Sequence, residues 1–244
     1  MADYQLRGVH GQTVQALALR ILSGQIPEGA TLDLLALREE LDVSLTALRE
    51  ALKVLSAKGI IDARQKRGTF VRPRESWNML DGDVMRWQSA GPPDPELLEN
   101  LTEVRTIVEP AAARLAAHRA TDEDLAALDK ALGQMAAAEG SAAEAVEADL
   151  DFHRALLAAT HNPLLVEMER VIANGLAQRD KVVHNADPAD DPVPSHRTVF
   201  EAIRDKNPDG AEAAMRALVD KATEDFRRVA AKQKTAKRKP RPAT

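Results

Sequence analysis

DVSLTALREALKVLSAKGIIDARQKRGTFV, residues 42–71, is the stretch whose reading decides the fold. Ser44 can cap a helix in which Leu48, Leu52 and Leu55 recur at helical spacing and supply a buried stripe. Gly59 ends that helix. GIIDARQKRGTFV then reads as two short strands, about 60–64 and 69–72, joined by a basic turn around Lys66–Gly68. Upstream, HGQTVQALALRILS (10–23) places Val14, Leu17, Ala18 and Ile21 on one helical face. GQIPEG breaks this helix, LDLLALREEL (32–41) starts a second, and DVS turns into the third. Helix, helix–turn–helix and β-hairpin in that order make a winged helix-turn-helix.

Beyond residue 74 the pattern changes. Residues 75–94 hold two tryptophans and end in prolines, and read as a linker plus a short helix whose tryptophans pack against something. From 95 to 231 nearly everything is helical, with starts marked by DPEL at 94, TDED at 121, SAAE at 141, NPLL at 162 and NPDG at 207. Six or seven helices follow, an all-α bundle of ordinary domain size. The whole is therefore mainly α: a winged helix-turn-helix unit over 1–74, the connection over 75–94, an all-helical domain over 95–231, and a basic tail. That tail, KQKTAKRKPRPAT at 232–244, lacks apolar periodicity and is expected to be disordered.

Composition excludes several classes. The chain has no cysteine, so disulfides, thiolate metal sites and cysteine nucleophiles are ruled out. No apolar run is long enough for a membrane span, and MADYQLRGVHGQ is not a signal pattern, so a cytoplasmic protein without membrane contact is expected. The net charge of −5 conceals an asymmetry. Residues 44–74 carry 8 Lys/Arg against 2 Asp/Glu, whereas 76–231 carry a net of about −13. A basic module on an acidic body directs one end of the chain toward a polyanion.

A helix enters the major groove with its N-terminal residues on base edges and flanking donors on phosphates. Ser44 and Thr46 offer hydroxyls to phosphate, and Arg49, the one arginine in the first two turns, is the candidate reader of a guanine. Lys53 lies one turn on. At the hairpin tip Gln65, Lys66 and Arg67 are basic or polar, and Gly68 permits close backbone approach. The plainer alternative is a protein-contact module with Arg49 in an internal ion pair.

The same residues resemble the GntR superfamily of bacterial repressors, in its FadR-type branch with a C-terminal helical effector domain called FCD. The carriers are VSLTALREALKVLSAKGIIDARQKRGTFV, EVRTIVEPAAARLAAHRAT (103–121), ADLDFHRALLAATHNP (148–163) and SHRTVFEAI (195–203). WNMLDGDVMRW (77–87) is similar to repressors of galactonate and related sugar-acid operons. The resemblance implies DNA roles for Arg49 and Gly68, with Ser44 and Thr46 on phosphate. It also shows two departures: many members carry arginine where this chain has Leu35 and Leu45.

Asp149 and His153, four apart, project from one helix face, a spacing that suits either two metal ligands or a surface ion pair. The resemblance adds His196 as a third ligand to a divalent ion such as zinc, nickel or manganese, and puts Asn174 where a further ligand, often histidine, would lie. His161 and His184 fall outside the motif and read as loop or helix-end residues. Arg105 and Glu109 can pair with each other at i,i+4. The resemblance instead turns Arg105 toward a carboxylate effector, with Asn174 meeting its hydroxyls. Pro110 in the same helix removes a backbone hydrogen bond and predicts a kink. The expected protein is a homodimeric repressor of a DNA operator, controlled by a small sugar-acid-like carboxylate. A pure metal-ion sensor is the alternative. A metal-dependent hydrolase fits less well, since G-x-S-x-G, H-E-x-x-H and a phosphate loop are all lacking.

Overall fold

The computed structural model describes residues 8–91, 94–138, 141–183 and 191–237, and divides the chain into two compact units, Met1–Pro92 and Pro93–Thr244. In the first unit, α1 (Val9–Leu22), α2 (Leu34–Glu40) and α3 (Leu45–Ala57) precede β1 (Ile61–Arg64) and β2 (Gly68–Val71). The strands pair antiparallel with Ile61 opposite Val71 and Arg64 opposite Gly68. The sequence placed the second strand one residue later and the second helix two residues earlier. Asp33 moves that helix start, because its carboxylate accepts from the amides of Leu35 and Ala36 and so caps α2.

The core of this unit follows the periodicity. Val14, Leu17, Ala18 and Ile21 of α1 pack with Leu48, Ala51, Leu52 and Leu55 of α3, and Ile60, Ile61 and Val71 of the hairpin close one side. The segment before α2 adds an edge to the hairpin: Leu32 donates to the Thr69 carbonyl at 2.8 Å, and Val71 donates to Ala30 at 3.0 Å. Gly59 is obligatory at the end of α3. Its φ is +76°, and a Cβ there would stand 2.5 Å from the Ser76 carbonyl oxygen.

The stretch expected to link the domains belongs to this unit. A short 3-10 turn (Arg74–Ser76) leads through Trp77 to α4 (Gly82–Ala90), and Trp77, Val84 and Trp87 join the same core as α1 and α3. Lys58, at the C-terminus of α3, fixes the arrangement. Its Nζ donates to Asp81 Oδ1 at 2.7 Å and lies 2.8 Å from Asp83 Oδ2, while 5.6 Å separates it from the centre of the Trp87 ring. Asp81 simultaneously caps α4 by accepting from the Asp83 and Val84 amides.

The second unit is all-helical. It comprises α5 (Pro95–Arg119), α6 (Asp122–Ala137), α7 (Ala142–Ala158), α8 (Pro163–Glu167), α9 (Glu169–Val183), α10 (Val193–Arg204) and α11 (Pro208–Lys237). Asp94, Thr121, Ser141 and Asn162 cap the helices whose starts they mark in the sequence. The reciprocal capping box forms at Thr121 and Asp124, while Ser141 accepts from the Glu144 amide. Pro110 lies inside α5, which runs unbroken past it to Arg119. Leu128, Leu132, Phe152, Leu156, Val199, Ile203, Met215 and Val219 fill the interior between α6, α7, α10 and α11. The tail expected to be disordered from residue 232 is helical to Lys237, because α11 simply continues; 238–244 and His184 lie outside the described residues. No helix of the described residues is long and apolar enough to cross a membrane.

The Lys58 tether predicts a pH-bounded contribution to stability. Burial would raise the Asp81 carboxyl, but the Lys58 ammonium and two backbone amides outweigh it and hold it below the ordinary carboxylate value. Burial likewise opposes the Lys58 ammonium, and Asp81 and Asp83 overcome it to raise Lys58. A depressed acid stabilises above its unfolded value and loses that on acidification through its folded one. A raised base stabilises below its unfolded value and loses that as pH rises through its folded one. Replacing Lys58 with Met should cost about 1–2 kcal/mol at neutral pH, and the deficit should shrink at both extremes, as read by denaturant melts across pH.

Candidate functional site

Two constellations carry chemistry, one in each unit. On α3 the buried stripe fixes the opposite face, so Thr46, Arg49 and Lys53 are all exposed. Ser44 Oγ accepts from the Ala47 amide at 3.1 Å, and its hydroxyl hydrogen can still be donated to a phosphate. Lys53 Nζ donates to Glu50 at 2.8 Å. The wing tip is exposed at Gln65, Lys66, Arg67 and Gly68, with positive φ at Lys66 (+70°) and Gly68 (+77°).

The basic residues are not equally available. The Arg67 guanidinium carbon sits over Phe70, 3.6 Å from the ring centre, and Nη2 donates to the Gly29 carbonyl at 3.3 Å. Arg64 pairs with Asp62. Among the described residues, the side chains of Arg49 and Lys66 make no hydrogen bond or ion pair, which leaves both cations for an outside partner. The internal ion pair considered for Arg49 does not form among the described residues. Leu35 is 62% exposed on α2, and Leu45 is half-buried at the first position of α3.

In the helical unit α7 supplies Asp149 and His153, and α10 supplies His196. One ligand atom from each lies within 4.8 Å of the other two. His196 Nδ1 is 2.9 Å from the Pro192 carbonyl, which can only accept, so Nδ1 carries a hydrogen and, in the neutral ring, Nε2 presents a lone pair. That Nε2 faces Asp149 Oδ1 at 3.0 Å. His153 Nε2 faces the same oxygen at 3.8 Å, while its Nδ1 lies 3.2 Å from Glu109 Oε2. Both histidines are buried, and neither Nε2 has a hydrogen-bond partner. With both rings neutral and Nε2 unprotonated, their lone pairs and the carboxylate repel unless a cation, whether a proton or a metal ion, stands between them. An oxygen and two imidazole nitrogens suit a divalent transition ion; the Pro192 carbonyl orients His196 through Nδ1, while His153 Nδ1 lies within ion-pair distance of Glu109 without a formed hydrogen bond. Phe152 edges the pair, 4.9 Å from the His196 ring and 6.0 Å from that of His153.

Behind the centre stands a buried ion pair. Arg105 Nε donates to Glu109 Oε1 at 2.7 Å and Nη2 to Oε2 at 3.3 Å. The pairing open in the sequence is therefore formed, and Glu109 also touches His153, so one carboxylate joins Arg105 to the histidine centre. Burial would raise the Glu109 carboxyl, but the Arg105 guanidinium, followed by His153, holds it at about 2. Sequence reading treated Glu109 only as a partner for Arg105. Its further role had a signal: Arg105 and Glu109 lie on the buried stripe Leu98, Leu101, Ala112 and Ala116, where a charge needs a buried partner. Asn174, in α9, donates its amide to the Arg170 carbonyl at 2.7 Å. Exposed His161 contacts Asp124 at 2.8 Å, the helix-end setting read for it.

Both units match known proteins. Residues 10–71 match the model of bacterial regulatory proteins of the gntR family, and residues 100–221 match the FCD domain. The chain is 36% identical over 219 residues to the galactonate operon transcriptional repressor of Escherichia coli, covering 88% of this chain and 96% of that protein. It is 30% identical over 202 residues to the HTH-type transcriptional regulator LutR of Bacillus subtilis, covering 80% and 90%. Among solved structures, the Listeria monocytogenes regulator Lar shares the fold at a TM-score of 0.63 and 18% identity, over 91% of this chain and 98% of that one. These relatives are transcription regulators rather than enzymes.

The buried pair yields a direct test. Glu109→Gln removes the charge opposite a buried guanidinium and should destabilise the chain by about 3 kcal/mol in denaturant melts. Because the folded carboxyl is held at about 2, that contribution is present above the ordinary carboxylate value and is lost only as pH falls toward 2.

Proposed function

This chain belongs to the GntR family of bacterial regulatory proteins and carries its FCD domain, so it is a DNA-binding transcription regulator; from that premise we propose that it is a repressor controlled by a small carboxylate. The winged unit binds an operator half-site, with Arg49 on a guanine and Lys66 on the backbone or minor groove. Ser44 and Thr46 position the helix by phosphate contacts. The chain acts as a homodimer, so that two winged units meet the halves of a near-palindromic site.

The observation that carries the control mechanism is the pair of inward-facing, unpartnered Nε2 atoms at His153 and His196 with Asp149 between them. Asp149, His153 and His196 would hold a divalent ion: zinc, nickel or manganese. When bound, that ion supplies a Lewis-acid site for a carboxylate oxygen. Asp149 neutralises charge there, Pro192 and Glu109 orient the two imidazoles, and Arg105 and Asn174 are the polar groups offered to the effector. The effector class is sugar acids, by analogy with the galactonate operon repressor. Such a ligand releases the operator only through unequal affinity for two states of the protein, and operator must weaken ligand binding by the same factor. The two-pronged contact between Arg105 and Glu109 favours a second reading, in which the metal ion alone is the signal.

Elemental analysis of the purified chain, followed by fluorescence anisotropy on a duplex selected from a randomised pool, separates these readings. The expected result is one divalent ion per chain, lost in His153→Ala, and operator release on titration with galactonate. Release by metal without any sugar acid would establish the sensor instead. Arg49→Ala should weaken duplex binding about tenfold, and unchanged binding would remove Arg49 from the interface.

A further inference from the structure

Leu45 occupies the first position of α3, immediately after the Ser44 cap, and is one turn from Arg49 on the same side of the helix. Its placement is unusual for a leucine. The apolar cluster of this unit takes in Leu48, Ala51, Leu52 and Leu55 from α3, with Val43 and Val54 packed against it, but not Leu45. Leu45 thus sits at the border of the core stripe, half-buried, beside an arginine that has no partner among the described residues. The first turn of a reading helix is the part that meets base edges in the major groove. The apolar group displayed there by DNA is the thymine C5-methyl.

We infer that Leu45 is a specificity-determining residue that reads a thymine methyl next to the base contacted by Arg49. The inference rests on the operator-binding reading above. Charge supports the choice of occupant. Residues 44–74 carry 8 Lys/Arg against 2 Asp/Glu, so this surface attracts a polyanion rather than another apolar protein face. With Lys53, Arg64 and Arg67 engaged internally, Arg49 and Lys66 are the cations of the helix face and wing tip left for DNA. Discrimination at the helix start therefore leans on an apolar contact, which adds nothing to counterion release.

The test uses the full chain and a duplex selected from a randomised pool, resynthesised with deoxyuridine replacing thymine at one position at a time. Uracil pairs as thymine does and lacks only the methyl. At one position per half-site the wild type should bind the uracil duplex about fourfold more weakly, the effect of uncovering one buried methyl group. Leu45→Ala should bind both duplexes equally, while Leu35→Ala and Leu80→Ala, exposed leucines elsewhere in the unit, should keep the wild-type preference. Leu45→Arg should make log affinity fall more steeply with log salt, by about one unit of slope. Equal binding of thymine and uracil duplexes by the wild type would overturn the inference. So would a preference that survives Leu45→Ala, or one lost in Leu35→Ala instead. A chain that selects no duplex would overturn the operator-binding reading itself, which distinguishes the two failures.

Discussion

Two imidazole nitrogens and one carboxylate oxygen turned inward on the same point are the constraint around which the helical unit is organised. Asp149, His153 and His196 occupy buried or nearly buried positions that could have been leucines, and Glu109 and Arg105 extend the polar chain into α5. Burying this many ionisable groups costs more than any hydrophobic gain from the same positions, unless each group is met by a partner. Arg105 meets Glu109, Glu109 meets His153, and the Nδ1 of His196 meets Pro192. Among the described residues, the Nε2 atoms of His153 and His196 have no hydrogen-bond partner, nor does His153 Nδ1 in spite of its approach to Glu109.

The winged unit obeys a different constraint, one of steric fit and tethering. Gly59 lets the chain leave α3 where any side chain would collide with the Ser76 carbonyl, and Lys58 ties the end of α3 to the start of α4. As a result α3 does not end in a loose loop. It ends in a cluster containing Trp77 and Trp87, which also pack on α1 and α3. A displacement of α4 is therefore transmitted to the reading helix, because moving one without the other breaks a charge-assisted bond and uncovers two tryptophans.

The elements legible in the sequence are those with local causes. α3 was readable because Ser44 caps it and Leu48, Leu52 and Leu55 repeat at helical spacing, and the hairpin because a basic turn separates two short apolar runs. Asp149 and His153 share a face by spacing alone, whereas His196 joined them only through a resemblance, since no local rule brings α10 to α7. The placement of 75–90 on the winged core was not legible. Two tryptophans announce burial but do not name their partner, and the Lys58 tether depends on a lysine 23 residues from its aspartate. The helical course of 232–237 escaped for the opposite reason: a polar, basic run reads as solvated chain, yet it extends an existing helix without a new nucleation cost.

The helical centre has a consequence for how a signal could leave it. Asp149 and His153 lie on α7, His196 on α10, and Glu109, which touches His153, on α5. A cation shared by the three inward atoms would link α7 to α10 directly and α5 at one remove. Its binding energy would then be available only in arrangements that keep all three helices in register. The apolar packing around Phe152 and Val199 is tolerant of small sliding, because it is non-directional. The polar centre is not, since it requires atoms at defined distances. An effector oxygen entering the centre would change which helix spacing satisfies it. The apolar layer would follow, so that a sub-ångström change at three side chains would become a change in helix packing.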